Sequence, residues 1–254
     1  MIDALYIAES GMNSQQKMIE VISNNIANVS TPGFKKSGAT FADVVYQPLQ
    51  HTESNPAEIQ GKGVSIGQLT LDFRSGDLKQ SGNPLDIAIN GNGFIPIISS
   101  QGVEAYSRGG RLVVDSQGYL ATQQGHRLAS NVQIPPETSD MTITASGVVL
   151  ARVQGSEELI ELGKLELVTF SNSSGLRQTA ANVYQATTEA GERSYTMPGE
   201  SGAGQLIQGF VEMSNVSMNE EMVNLMLAQR SYQLNARLVQ VSDQILDTIN
   251  NIRR

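Results

Sequence analysis

SNNIANVSTPGFKK, Ser23 to Lys36, closes an apolar-patterned segment with asparagines and hydroxyls and then breaks it at Pro32 and Gly33. Upstream, Leu5, Ala8, Met12, Gln15, Ile19, Ile22, Ile26 and Val29 recur at alternating three- and four-residue steps, with Gln15 the polar exception. That spacing is the a/d stripe of one long helix. Proline cannot continue it and glycine turns the chain away, so the stretch reads as the place where a helix ends and the chain leaves for other structure. The amides of Asn24, Asn25 and Asn28 at this end, and of Asn215 elsewhere, are expected to cap carbonyls and fix register by side-chain hydrogen bonds, at some cost in stability. Inside the helix Gly11 costs about 1 kcal/mol relative to Ala. Either the helix is locally weak there or a neighbour approaches closely, and the sequence leaves both open.

The C-terminus carries the same pattern over a greater length. Ser217 and Glu220 have the spacing of a capping box, so a helix is predicted to begin near Met218. One stripe then runs through Met222, Leu225, Tyr232, Ala236, Val239 and Leu246, and a second through Leu227, Leu234, Leu238, Val241, Ile245, Ile249 and Ile252. Two stripes on one helix imply more than one packing neighbour. Pairing of the two terminal helices satisfies one of them, and self-assembly is the natural supplier of the other. The candidate assembly interface is therefore Leu5, Met12, Ile19, Ile22, Ile26, Met222, Leu225, Leu234, Leu238, Val241 and Ile245.

Between the helices the period changes. DIAI (86–89), GFIPII (93–98), EAYS (104–107), RLVV (111–114), GYLAT (118–122), MTIT (141–144), VVLARV (148–153) and LELVTF (165–170) are short, β-branched or aromatic, and separated by Gly, Asn, Ser and Pro turns. They read as strands of an all-β domain. The predicted class is α+β: a discontinuous coiled-coil domain made from the N- and C-terminal helices, plus a central all-β domain. Its divisions are an N-terminal helix (1–30), an extended connecting region (31–79), the β domain (80–190), a linker (191–216) and a C-terminal helix (217–254).

At 254 residues the chain can build real cores without staples, and the absence of cysteine removes disulfides and thiolate chemistry. A net charge of −8 with no basic block argues against nucleic acid as a partner. No stretch approaches the roughly 20 apolar residues of a membrane helix, so direct membrane insertion is not expected, and the N-terminus lacks the pattern of a cleaved signal peptide. His51 and His126 are too isolated for a metal site, and neither a metal nor a cofactor is expected. Glu157, Glu158 and Glu161 read as a solvated face, without a base or cation beside them.

GVSIG (63–67) matches the G-x-S-x-G nucleophile-elbow pattern with His126 downstream. The elbow needs a strand, a sharp turn and a helix, whereas strand-like residues follow Ser65. A Ser65 hydrolase is therefore a minor alternative, and the chain is expected not to be an enzyme. GNGF (91–94) has too few glycines for a dinucleotide loop and reads as a tight turn.

NNIANVSTPGFKK (24–36), LDIAINGNGF (85–94), AYSRGGRLVVDSQGYLAT (105–122) and QGFVEMSNVSMNEEMVNLMLAQRSYQLNARLVQVSDQIL (208–246) resemble, in order, the signature blocks of the bacterial flagellar rod and hook proteins. The resemblance spans nearly the whole chain and is nearest to the distal-rod branch, through residues 11–47 and GKGV (61–64). The linker from Tyr46 to Gly61 is shorter than is typical of that branch. The resemblance implies a structural subunit that is exported without signal cleavage and polymerises into a helical tube. The terminal helices would form its inner layer, and the tube would act as a drive shaft across the periplasm. It implies as partners further copies of the chain, other rod proteins, the hook protein, and the surrounding periplasmic and outer-membrane rings as a bushing. It also implies the type III export gate, read through Phe41 and Val45 of FADVV (41–45). A hook or proximal-rod subunit is the alternative within the family, and a secreted β-rich binding protein is one outside it.

Overall fold

The computed structural model describes residues 2–46, 60–99, 102–154 and 158–252. The fold is α+β, with α1 (Ile2–Ala27) and α2 (Met218–Ile252) at the two ends of the chain and strands between them. In chain order the strands are β1 (Ser37–Tyr46), β2 (Gln60–Leu71), β3 (Leu78–Gln80), β4 (Asp86–Asn90), β5 (Ile95–Ile98), β6 (Glu104–Ser107), β7 (Gly109–Val114), β8 (Leu120–Thr122) and β9 (Arg127–Leu128). They continue as β10 (Thr138–Ile143), β11 (Val148–Val153), β12 (Leu159–Lys164), β13 (Leu167–Phe170), β14 (Leu176–Ala180), β15 (Val183–Ala186), β16 (Arg193–Thr196), β17 (Gln205–Gln208) and β18 (Phe210–Glu212). The chain divides into two compact units: residues 1–27, 37–70 and 216–254 form the first, and residues 28–36 and 71–215 the second.

The first unit is a helix pair with a β ribbon. Helix α2 begins at Met218, where the Glu221 N–H reaches the Ser217 carbonyl at 3.0 Å, and Glu220 and Glu221 in its first turn complement the helix dipole. Near Gly11 the chain meets Asn235, and Asn25 meets Glu221, so positions fall along α2 as they rise along α1 and the pair is antiparallel. The a/d stripe of α1 is nowhere exposed: Ala8 and Ile22 are buried, and Leu5, Met12, Gln15, Ile19 and Ile26 are half-buried. Ala228 of α2 is buried as well. Gly11 is explained by a close approach, since a Cβ there would stand 2.6 Å from the Asn235 amide nitrogen.

Strands β1 and β2 pair as a two-stranded ribbon. Thr40 Oγ1 donates to the Gln68 carbonyl and Gly38 lies beside Thr70, which makes the pairing antiparallel. Residues expected as a connecting region thus contain β1, β2 and most of β3, and the expected linker 191–216 contains β16, β17 and β18. The sequence hides these strands because no dense apolar alternation marks them; glycines and polar side chains occupy most of the ribbon.

The second unit is all β. Nine strands run in the order β14-β15-β6-β5-β9-β8-β7-β4-β17, with β10-β11-β12, β13-β16 and β18-β3 as smaller sheets. Strand β4 is buried on both faces from Asp86 to Ile89, which places it inside rather than on a half-wet surface. Ile87, Ile89, Leu112, Leu120, Leu128, Leu165, Leu167 and Leu206 belong to the main core. A second core is aromatic. Phe73 meets Phe94 at 5.2 Å and Tyr184 at 5.1 Å, and Tyr106 meets Phe170 at 4.9 Å, all edge to face. Such pairs add about 0.5–1.5 kcal/mol each beyond the area they bury. Each apolar segment singled out from the sequence contains or overlaps a strand. The missed ones, such as β14 with four exposed residues of five, lack an apolar face.

Candidate assembly surface and its polar supports

Helix α2 leaves a long apolar row open. Leu227, Leu234, Leu238, Val241, Ile245 and Ile249 recur three, four or seven residues apart and are 43–63% exposed. At those steps they share a face. A row of this length is the mark of an interaction surface. The residues singled out from the sequence therefore separate into two sets. Leu5, Met12, Ile19, Ile22, Ile26 and Leu225 are buried or half-buried, whereas Leu234, Leu238, Val241 and Ile245 are exposed. Met222, placed with the first stripe, is exposed too, at 53%.

The β ribbon is fixed to α1 by two serines one helical turn apart. Ser10 Oγ donates to the Ile7 carbonyl at 2.8 Å and accepts the Val64 N–H at 3.2 Å, while Ser14 Oγ donates to the Val64 carbonyl at 3.2 Å. This approach requires Gly63, whose φ is +111° and whose absent Cβ would overlap Ser10 Oγ. GVSIG is thus a docking strand. Ser65 sits exposed within β2, without the strand-to-helix turn of a nucleophile elbow. Phe41 and Val45 both lie on β1; Phe41 is 43% exposed, and the Val45 side chain and all of His51 and Glu157 lie outside the described residues.

The helix-end amides do different work from one another. Asn25 is 1% exposed; its Oδ1 accepts the Ser37 N–H at 3.0 Å, and its Nδ2 donates to the Ser37 carbonyl at 2.9 Å and to Glu221 Oε2 at 3.0 Å. One side chain thereby satisfies both backbone groups of Ser37 and anchors a buried carboxylate. In the second unit Asn215 accepts the Lys36 N–H at 2.8 Å and donates to the carbonyls of Asp72 at 2.8 Å and Arg74 at 3.1 Å. Asn28 accepts the Thr31 hydroxyl at 3.2 Å in an exposed turn, and Asn24 is exposed.

The second unit also holds a buried cluster of Lys35, Arg108 and Glu212 that sequence reasoning missed. Lys35 Nζ lies 2.6 Å from Glu212 Oε1, and Arg108 Nε lies 3.1 Å from Glu212 Oε2, with all three side chains at most 2% exposed. Lys35 also donates to the Arg74 carbonyl at 2.9 Å. The Arg108 guanidinium donates to the carbonyls of Gly93, at 2.6 Å, and Gly91. Glu212 accepts a further bond from the Gly76 N–H at 2.9 Å. Burial holds the Lys35 ammonium below the ordinary lysine range, and the Glu212 charge opposes that fall. Burial, then the Glu212 charge, pushes the nearby Tyr184 phenol up. The only local signal was a carboxylate between the apolar Val211 and Met213; its partners are 104 and 177 residues away.

Comparison with known proteins places this arrangement in a class. Three family models match: "Flagella basal body rod protein" over residues 5–35, "Flagellar hook protein FlgE/F/G D1 domain" over 88–151, and "Flagellar basal body rod FlgEFG protein C-terminal" over 207–252. Among individual relatives, flagellar basal-body rod protein FlgG of Buchnera aphidicola subsp. Schizaphis graminum is 38% identical over 260 residues, 99% of this chain and 100% of the relative. FlgG of Borreliella burgdorferi is 38% identical over 264 residues and that of Bacillus subtilis 35% over 266, each alignment covering both chains in full. The chain belongs to the flagellar basal-body rod protein family, whose members are structural subunits of that rod.

Proposed function

We propose that this chain is a non-enzymatic subunit of the distal rod that polymerises with its own copies into a helical tube and transmits torque across the periplasm to the hook. Its mechanism is packing. The observation that carries the reading is the open row on α2, which the intrachain helix pair does not use and a neighbouring copy would cover. Contacts of this kind, head to tail and not closing into a ring, build an open helical polymer. Burying the row contributes about 25 cal/mol per Å² of apolar area.

The same reading gives the chain other rod proteins and the hook protein as axial neighbours and the surrounding rings as a bushing. It also assigns Phe41 and Val45 to the type III export gate, which passes the chain without signal cleavage. The exposure of Phe41 on the ribbon supports that role. The test is Leu234→Asp with Leu238→Asp. Electron microscopy of assembled protein is expected to show loss of tubes while circular dichroism keeps the β signal; normal tubes from this variant would overturn the proposal.

A further inference from the structure

The first unit carries an open apolar concavity besides the α2 row. Between α1 and the β ribbon runs a groove of about 540 Å³ lined by Tyr6, Ile7, Glu9, Val44, Lys62 and Val64. Tyr6 is 63%, Ile7 43% and Val44 40% exposed, so its apolar side chains are as open as the row on α2. Glu9 lines the groove from the α1 side and Lys62 from the β2 side.

The row on α2 is flanked by two exposed cations, Arg230 and Arg237, which stand seven residues apart and so on one side of it. A chain cannot cover its own row this way, because α1 already packs on α2 along the face that carries Glu221, Ala228 and Asn235. Two open apolar surfaces of the same unit, one with a carboxylate at its edge and the other with arginines along its side, favour a head-to-tail contact between copies.

We infer that the α2 row of a second copy seats in the groove between α1 and the β1–β2 ribbon, with Leu238 and Val241 against Ile7 and Val44, and Arg237 against Glu9. This rests on the self-assembly proposed above and adds which surface meets which. The Glu9 pairing fixes polarity, since the opposite placement would carry Arg237 away from Glu9 to the β2 side of the groove.

The test is charge reversal followed by mixing. Glu9→Arg and Arg237→Glu are each expected to raise the concentration at which the protein sediments as polymer by about tenfold or more. A one-to-one mixture is expected to recover, because each altered groove then finds an altered row. Recovery in the double variant but not in the mixture would place the pair within one chain and overturn the inference. Reversals that leave assembly unchanged would overturn it while leaving self-assembly intact. A wild-type chain that stays monomeric throughout would overturn both. Because the chain has no cysteine, Ile7→Cys and Val241→Cys on separate chains provide a second measurement. Mixed in the polymer and treated with an added thiol oxidant that accepts the two electrons, they are expected to form a disulfide-linked dimer, and absence of that dimer in assembled material overturns the contact.

Discussion

Asn25 and Glu221 meet at 3.0 Å across 196 residues of chain, each 1% exposed, and their bond ties the end of α1 to the start of α2. The same asparagine holds the backbone of Ser37, where β1 begins. Three segments of the first unit therefore depend on one amide. Asn25→Ala removes three hydrogen bonds and leaves buried groups unsatisfied, with an expected loss of about 2–3 kcal/mol. Asn25→Asp is expected to cost more, because its oxygen would face both the Glu221 carboxylate and the Ser37 carbonyl. Urea unfolding followed by helical circular dichroism checks the order; an aspartate as stable as the alanine contradicts it.

The buried charges of the second unit are unequal in consequence. Glu212→Gln leaves Lys35 and Arg108 as two buried cations without a counter-charge, for an expected loss of about 3–5 kcal/mol. Lys35→Met keeps the Glu212–Arg108 pair and gives up two hydrogen bonds, an expected loss of about 1–3 kcal/mol. Thermal unfolding followed by the tyrosine signal distinguishes them, and the reverse order would contradict the account.

Lys35 also makes stability depend on pH. Its folded pKa lies below the ordinary 10.5, so between the two values the unfolded chain binds more protons than the folded one. Stability from this group therefore rises with pH across that window and is level below it. The raised Tyr184 acts in the opposite sense, but only as pH passes its ordinary value of 10.0. As pH rises toward the ordinary lysine value, wild-type stability minus that of Lys35→Met is expected to increase. A flat or falling difference contradicts the assignment.

Gly11 and Asn235 are expected to be coupled. Alanine in a helix is worth about 1 kcal/mol over glycine, but here the added Cβ meets the Asn235 amide at 2.6 Å. Gly11→Ala should gain little or lose stability alone, and should recover about 1 kcal/mol in an Asn235→Ala background. Equal effects in both backgrounds would rule out the contact.

In GVSIG the structural burden falls on the glycine. Gly63→Ala is expected to free the Val64 N–H from Ser10 and speed its hydrogen exchange, whereas Ser65→Ala, exposed on β2, is expected to leave stability and motility unchanged. Loss of motility with Ser65→Ala in a stable chain would reopen the catalytic reading.

Local pattern determined much of this protein. The a/d steps from Leu5 to Ile26 made α1, the Ser217–Glu220 spacing began α2 at Met218, and β-branched runs marked the principal strands, because each is set by the periodicity of its own backbone. The second row on α2 was legible for the same reason. Pairing over long separations was not. The sequence shows an asparagine at position 25 and glutamates at 212 and 221, but which amide or cation each meets depends on chain segments brought together only by folding. Gly11 makes the division plain: composition offered a weak helix or a close neighbour, and only the approach of Asn235 decided between them.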